Sequence, residues 1–243
     1  MPGPQQAWHV TTKAWWLGTM EDVYGAPVSA LAENLIDCWV PADDEREWVL
    51  RRRQSGRALD VTGQPWGGAI PRWPVGEWHA RYGDFASARA GRRARPRFDF
   101  EAPTPQFLAT LPLDPSTLLE GHLARGASSR TSLACLCFGR ARGLLTSGLA
   151  SAALRSAICS ALLRLDGVAL REQARNADGR EVLALTLSDR GVRADIYLDQ
   201  RDGQCAGERR ETLEGDSSAG LPPHTPLVFS SIEVSIVDVV EAG

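Results

Sequence analysis

The chain has 243 residues, 43% of them hydrophobic and 23% charged, with a formal net charge of −3. That balance describes one large or two small globular domains burying a real core, and excludes disordered, collagenous and coiled-coil chains. The small negative charge points to neither nucleic acid nor an anionic membrane surface, and the longest uncharged stretch, Ser217 to Ile232, contains three prolines and is no membrane span.

Residue usage narrows the chemistry further. Lys13 is the only lysine, and it sits in Thr-Thr-Lys-Ala-Trp-Trp, so neither a P-loop nor a Schiff-base site is present. All eight tryptophans lie between Trp8 and Trp78, so this third of the chain builds something wide and aromatic. The five cysteines (Cys38, Cys135, Cys137, Cys159, Cys205) form no CxxC pair, and their odd number argues against a disulfide framework. We read them as small buried hydrophobes. Met-Pro-Gly-Pro-Gln-Gln at the start has neither a basic region nor an apolar one, which predicts a cytoplasmic location.

In chain order, residues 5–103 read as Trp-rich strands and loops. Ala7 to Trp16 is β-rich, and Asn34 to Val40 and Arg46 to Arg53 read as strands around the turn Pro41-Ala42-Asp43-Asp44. Gly63 to Arg97, with four prolines, reads as a loop too long for a compact domain unless it is functional, disordered or conceals strands.

Residues 104–166 read as helical. Asp114-Pro115 supplies an N-cap carboxylate and a first-turn proline. Leu133, Leu136, Cys137, Ala141, Leu144 and Leu145 keep a helical spacing. So do Ala150, Leu154, Ala157, Ile158, Ala161, Leu162 and Leu165, with Gly167 placed to end the helix.

Residues 167–240 then alternate with a period of two. Leu183, Leu185 and Leu187 share one face; Val192, Ala194, Ile196 and Leu198 share another, with Arg193, Asp195 and Tyr197 turned the other way. Turn signals at Asn176-Ala177-Asp178-Gly179, Asp189-Arg190-Gly191 and Asp202-Gly203 make the connections short, which forces antiparallel pairing. A last strand is predicted from about Leu227 to Val240. The expected class is α+β, one domain over 1–243, with the helices packed on one face of a curved antiparallel sheet.

Leu111-Pro112-Leu113-Asp114-Pro115-Ser116-Thr117-Leu118-Leu119 is similar to the "LPTDPDALL" signature of an uncharacterised actinobacterial family. Ala152 to Ala157, Leu165-Asp166-Gly167-Val168 and Gly179-Arg180-Glu181-Val182 match in order. Ile196-Tyr197-Leu198-Asp199 followed by Gly207-Glu208-Arg209 resembles the family's "lifDp…lGer" hairpin, and Trp39 to Asp43 matches loosely. The resemblance covers about residues 105–240. It implies a lipoprotein-carrier (LolA-like) fold: an antiparallel half-barrel whose concave face is partly plugged by helices, and which binds lipids or acyl chains. Members usually carry a membrane helix and an outer domain, so the resemblance implies an extracytoplasmic domain or a free-standing relative.

No HExxH, GxSxG, GxGxxG or zinc spacing of His and Cys occurs, so no metal or cofactor is expected. The densest reactive patch is Glu77-Trp78-His79-Ala80-Arg81-Tyr82-Gly83-Asp84-Phe85. Its Glu77, His79, Tyr82 and Asp84 are the catalytic candidates if the chain is an enzyme. Trp15, Trp16, Trp39, Trp48, Trp66, Trp73 and Trp78 are divided between core packing and the wall of an apolar pocket. Arg89, Arg92, Arg93, Arg95 and Arg97 form a basic run that we read as a solvated loop, with no nucleic-acid partner. Two functions follow. One is a half-barrel that binds a hydrophobic small molecule or lipid; the alternative is a cofactor-independent cyclase or isomerase of an apolar metabolite, in secondary metabolism.

Overall fold

A computed structural model describes residues 2–21, 27–43, 45–61, 72–95, 99–127, 132–216 and 220–238. Nine strands form one antiparallel sheet that does not close: β1 (Gln6–Glu21), β2 (Pro27–Pro41), β3 (Trp48–Asp60), β4 (Gly76–Ala80), β5 (Val168–Arg175), β6 (Glu181–Asp189), β7 (Val192–Leu198), β8 (Cys205–Thr212) and β9 (Pro226–Asp238). The order is β4-β3-β2-β1-β9-β8-β7-β6-β5. Two meanders are therefore joined where the first strand pairs with the last, from Gln6 opposite Asp238 to Trp16 opposite Val228.

Between β4 and β5 come α1 (Phe85–Arg89), α2 (Pro105–Thr110), α3 (Pro115–Leu118), α4 (Leu133–Thr146) and α5 (Ala152–Leu162). A side chain caps each N-terminus. Asp84, Thr104, Asp114, Ser132 and Ser151 each accept a backbone N–H from three residues on. Such a cap contributes about 1 kcal/mol by giving an otherwise orphaned donor a partner. The Asp114-Pro115 signal is thus realised as read.

Alternation decides which sheet face the helices cover. Trp8 lies opposite Val40 and Ile236, and Val10 opposite Cys38 and Val234, so these residues share one face. Trp8, Val10 and Val40 join Leu185, Leu187, Ile196 and Leu198 in a single core with Phe138, Leu144, Leu145, Leu154, Ile158 and Leu162 of the helices. Each Leu or Ile buried this fully contributes roughly 1.5–3 kcal/mol.

The chain turns from α4 to α5 at Gly148, whose φ of +75° suits the left-handed residue after a helix. A side chain there would also collide with Val234 and Val10, so the glycine sets how closely the helices approach the sheet.

Some boundaries differ from expectation. α5 ends at Leu162, not near Gly167, whose positive φ belongs to the turn into β5. Of the long predicted loop, residues 72–95 contain β4, a 3₁₀ turn at Arg81–Gly83 and α1; the remainder, including Gly67 and Gly68, lies outside the described residues, as do Val239 and Val240. Among the cysteines, Cys137 and Cys205 are buried and Cys38 and Cys159 half-buried, but Cys135 is exposed, because two residues along a helix turn the side chain away from the core.

Candidate functional site

β4 places Glu77 and His79 on the sheet face away from the helices, and Trp78 on the helical face. Arg51 holds Glu77 from the neighbouring strand, its Nε 2.8 Å from Oε2, and the His79 Nε2 lies 3.1 Å from Oε1. Hydrogen bonds from Arg51 first, then from His79, keep the Glu77 carboxyl below its ordinary range. Asp84 is committed to structure: its oxygens accept the backbone N–H groups of Ser87 and Arg95, both at 3.3 Å.

Directly after β4 the chain reverses through Tyr82 and Gly83, with φ of 60° and 67°. Gly83 lies against the Trp48 ring, where a β-carbon would collide. The reversal brings Arg92, Arg93 and Arg95 of the arginine run beside the end of β4, while Arg97 lies outside the described residues. A cavity of about 460 Å³ results, lined by His79, Arg81, Tyr82, Arg92, Arg93 and Arg95, with Glu47 its only acidic lining residue among those described. Arg81 pairs with Glu45 at 2.6 Å and lies over the Tyr82 ring. The side chains of Arg92, Arg93 and Arg95 have no carboxylate partner among the described residues. Two features that are separate in the sequence thus form one basic hollow suited to an anion. His79 and Tyr82 line it; Glu77 and Asp84 do not.

The tryptophans are divided between the two faces. On the face away from the helices, Trp39 stacks on His9, with ring centroids 4.6 Å apart and planes 4° from parallel, and Arg51 lies 5.3 Å from its ring centre. Trp15, on the same face, is buried under Arg57. On the helical face Trp16 meets Trp73 edge-on at 5.6 Å beneath Arg52, while Trp8 and Trp48 pack on the helical core. Trp78 lies under Arg89. Guanidinium–ring contacts of this kind stabilise by about 0.5–1 kcal/mol at exposed sites. The structure does not gather these rings around one cavity, and Trp66 lies outside the described residues.

A larger hollow, of about 720 Å³, lies along α4 under the segment 99–101. Phe100, Cys135, Leu136, Gly139, Gly143 and Thr146 line its apolar part, with Asp99, Glu101, Arg140 and Arg142 at its polar positions. Asp99 fixes the segment by accepting the N–H groups of Glu101 and Ala102 at 3.1 and 2.7 Å. Arg140 lies 4.8 Å from the Phe100 ring centre and donates to the carbonyls of His122, Leu123 and Arg125. Arg142 ties α4 to β8 through Glu208 at 2.8 Å. Nothing stands within 4 Å of a β-carbon at Gly139, so the hollow stays open there. The volume falls within the roughly 300–1,000 Å³ of small-molecule sites. Sequence reasoning missed this site, although two glycines four residues apart within a helix were a readable signal.

No protein-family model matches the chain, and no curated protein matches it. No helix among the described residues is long and apolar enough to cross a membrane, and no group of three His, Cys, Asp or Glu among them is placed to hold a metal ion.

Proposed function

We propose that the chain binds a lipid-like amphiphile with an anionic end and performs no chemistry on it. In this reading the open sheet is a half-barrel, the helical insert occupies its concave side, and the apolar body of the ligand lies along α4 under Phe100. Its anionic end meets Arg92, Arg93 and Arg95.

One observation carries the reading: the partly apolar hollow and the arginine-lined hollow adjoin along the chain. Arg95 lines one and Asp99 the other. Four residues span at most about 14 Å, because an extended chain covers no more than about 3.6 Å per residue. A single-chain amphiphile bridges that distance. Binding is favoured over catalysis because only two of the four titratable candidates line the basic hollow, and Asp84 is held by backbone donors.

Native mass spectrometry of the purified full chain tests this. We expect an adduct whose dissociated ligand carries an alkyl or isoprenoid chain and an acidic group, and expect Gly139→Phe, which fills the hollow at a sterically open position, to lose it. A chain that carries no adduct, and takes none up from a total lipid extract, contradicts the proposal.

A further inference from the structure

We propose that the sheet face turned away from the helices carries a second site, in the hollow beneath the β5 bulge, for a small neutral polyol such as a monosaccharide. It is independent of the amphiphile reading, since it uses the opposite face and other residues.

The pairing of β5 with β6 slips between Arg171 and Ala174, and Gln173 in the slip has a φ of 65°. Bulges re-aim an edge strand, and a non-glycine residue in this region is uncommon. Here the bulged residues wall a cavity of about 280 Å³ whose floor is Thr186, Arg193, Asp195, Tyr197 and Arg209. Thr186 lies directly across from Asp195, and Asp195 across from Arg209, so these three form one row over β6, β7 and β8.

These polar groups are deeply buried although no helix covers them. Asp195 is 3% exposed, Glu211 4% and Tyr197 3%. Arg193 donates to one oxygen of Asp195, Oδ2, at 3.1 and 2.8 Å, and reaches Glu211 at 3.2 Å. Arg209 pairs with Glu211 at 2.7 Å and lies over the Phe229 ring. The other Asp195 oxygen, Oδ1, has no hydrogen-bond partner among the described residues, and neither has the Thr186 hydroxyl, itself 8% exposed. Leaving buried acceptors open is costly, and buried polar groups are nearly always satisfied. Two adjacent open groups in the floor of a cavity point to an incoming hydroxyl.

Charge selects the class. The two arginines and two carboxylates of the network are paired with each other. In the wall Arg175 pairs with Glu181 at 2.7 Å, while Arg171 stands beside Glu172 in sequence. The lining and its partners thus carry balanced charge and favour a neutral hydroxylated molecule that donates to Asp195 and accepts from the arginines. Burial, and then the Asp195 carboxylate, push the Tyr197 phenol well above its usual range, so it keeps its proton and can donate as well.

The test is saturation-transfer NMR and calorimetric titration of the full chain with glucose, mannose, galactose and myo-inositol, each against glycerol and inorganic phosphate. We expect saturable binding of at least one of the four. Thr186→Val, which keeps the side-chain shape, should weaken it about tenfold, the effect of one buried hydrogen bond. Asp195→Asn should abolish it with the circular dichroism spectrum unchanged, and Gly139→Phe should leave it intact. No saturable binding of any of the four overturns the proposal. So does binding that survives Thr186→Val undiminished, or that phosphate displaces at equal concentration.

Discussion

Gly143 of α4 lies so close to the backbone of Phe100 that a β-carbon there would overlap the Phe100 carbonyl oxygen. One helical turn earlier, Gly139 faces open space on the same hollow. The two glycines therefore predict substitutions of opposite sign. Gly139→Ala should stabilise by about 0.5–1 kcal/mol, because alanine loses less backbone entropy in a helix. Gly143→Ala gains the same term but forces the 99–101 segment off the helix, an overpacking cost of about 1–3 kcal/mol, and should come out destabilised. Urea denaturation of both variants measures the signs. Equal stabilisation by both would show that the segment is not seated on α4.

Cys135 should be the only thiol that reacts readily in the folded protein. It is exposed, whereas burial pushes Cys38 and Cys205 up to about 12 and Cys159 up to about 11. Cys135 itself is raised, by partial burial first and then by the neighbouring Asp189 carboxylate, so its rate should still be climbing above pH 9. Titration with a chromogenic disulfide should give one fast thiol in buffer and five in denaturant. Because Cys135 lines the α4 hollow, bound amphiphile should slow the fast phase severalfold, and Cys135→Ser should remove that phase.

Asp199 gives the fold an acid-sensitive fastening. The Arg201 side chain donates to it at 3.1 and 2.9 Å, the Arg201 backbone N–H adds a bond at 2.8 Å, and Arg180 lies 3.3 Å away. The Arg201 side chain is the principal cause, and it holds the carboxyl at about 2 against burial. A carboxyl depressed in the folded state stabilises fully above its unfolded value of about 3.9 and loses that stabilisation as pH falls to its folded value. The fastening should therefore weaken between about pH 4 and pH 2. Arg201 is largely exposed, so solvent screens the pair and the effect is small. Asp199→Asn should be less stable than the unaltered protein at neutral pH and converge with it near pH 2 in urea titrations.

Local signals were legible wherever one residue's chemistry decides the structure. Asp114 before Pro115 starts a helix through a bond from the Thr117 N–H, and the alternation of Leu183, Leu185 and Leu187 gives the strand β6, although Val182, Ala184 and Thr186 on its other face are buried as well. β4 was illegible because it is a short edge strand paired only with β3. Period two places Trp15 and Trp16 on opposite faces, yet it does not say which face the helices cover; the pairings of Trp8 and Val10 do. The basic hollow was half legible. Both its segments stand out in the sequence, but the reversal at Tyr82 and Gly83 that joins them depends on the Trp48 ring beneath. Arg193, Asp195 and Tyr197 lie on the opposite face of β7 from Ala194, Ile196 and Leu198, as the alternation predicts, but alternation does not say how deeply that face is covered. They are buried or half-buried there because Arg209 and Glu211 of β8 and the β5 bulge close over them, partners that lie on other strands.

The most direct test of amphiphile binding is isothermal titration of the full chain with dodecyl phosphate below its micelle concentration, beside dodecanol and inorganic phosphate. The account predicts one saturable site for the alkyl phosphate, tighter than for either half alone, and weakened at least about tenfold by Gly139→Phe or by the pair Arg92→Glu and Arg93→Glu, since each removes one end of the ligand's contacts. No saturable heat with the alkyl phosphate, or binding that survives both changes undiminished, would contradict it.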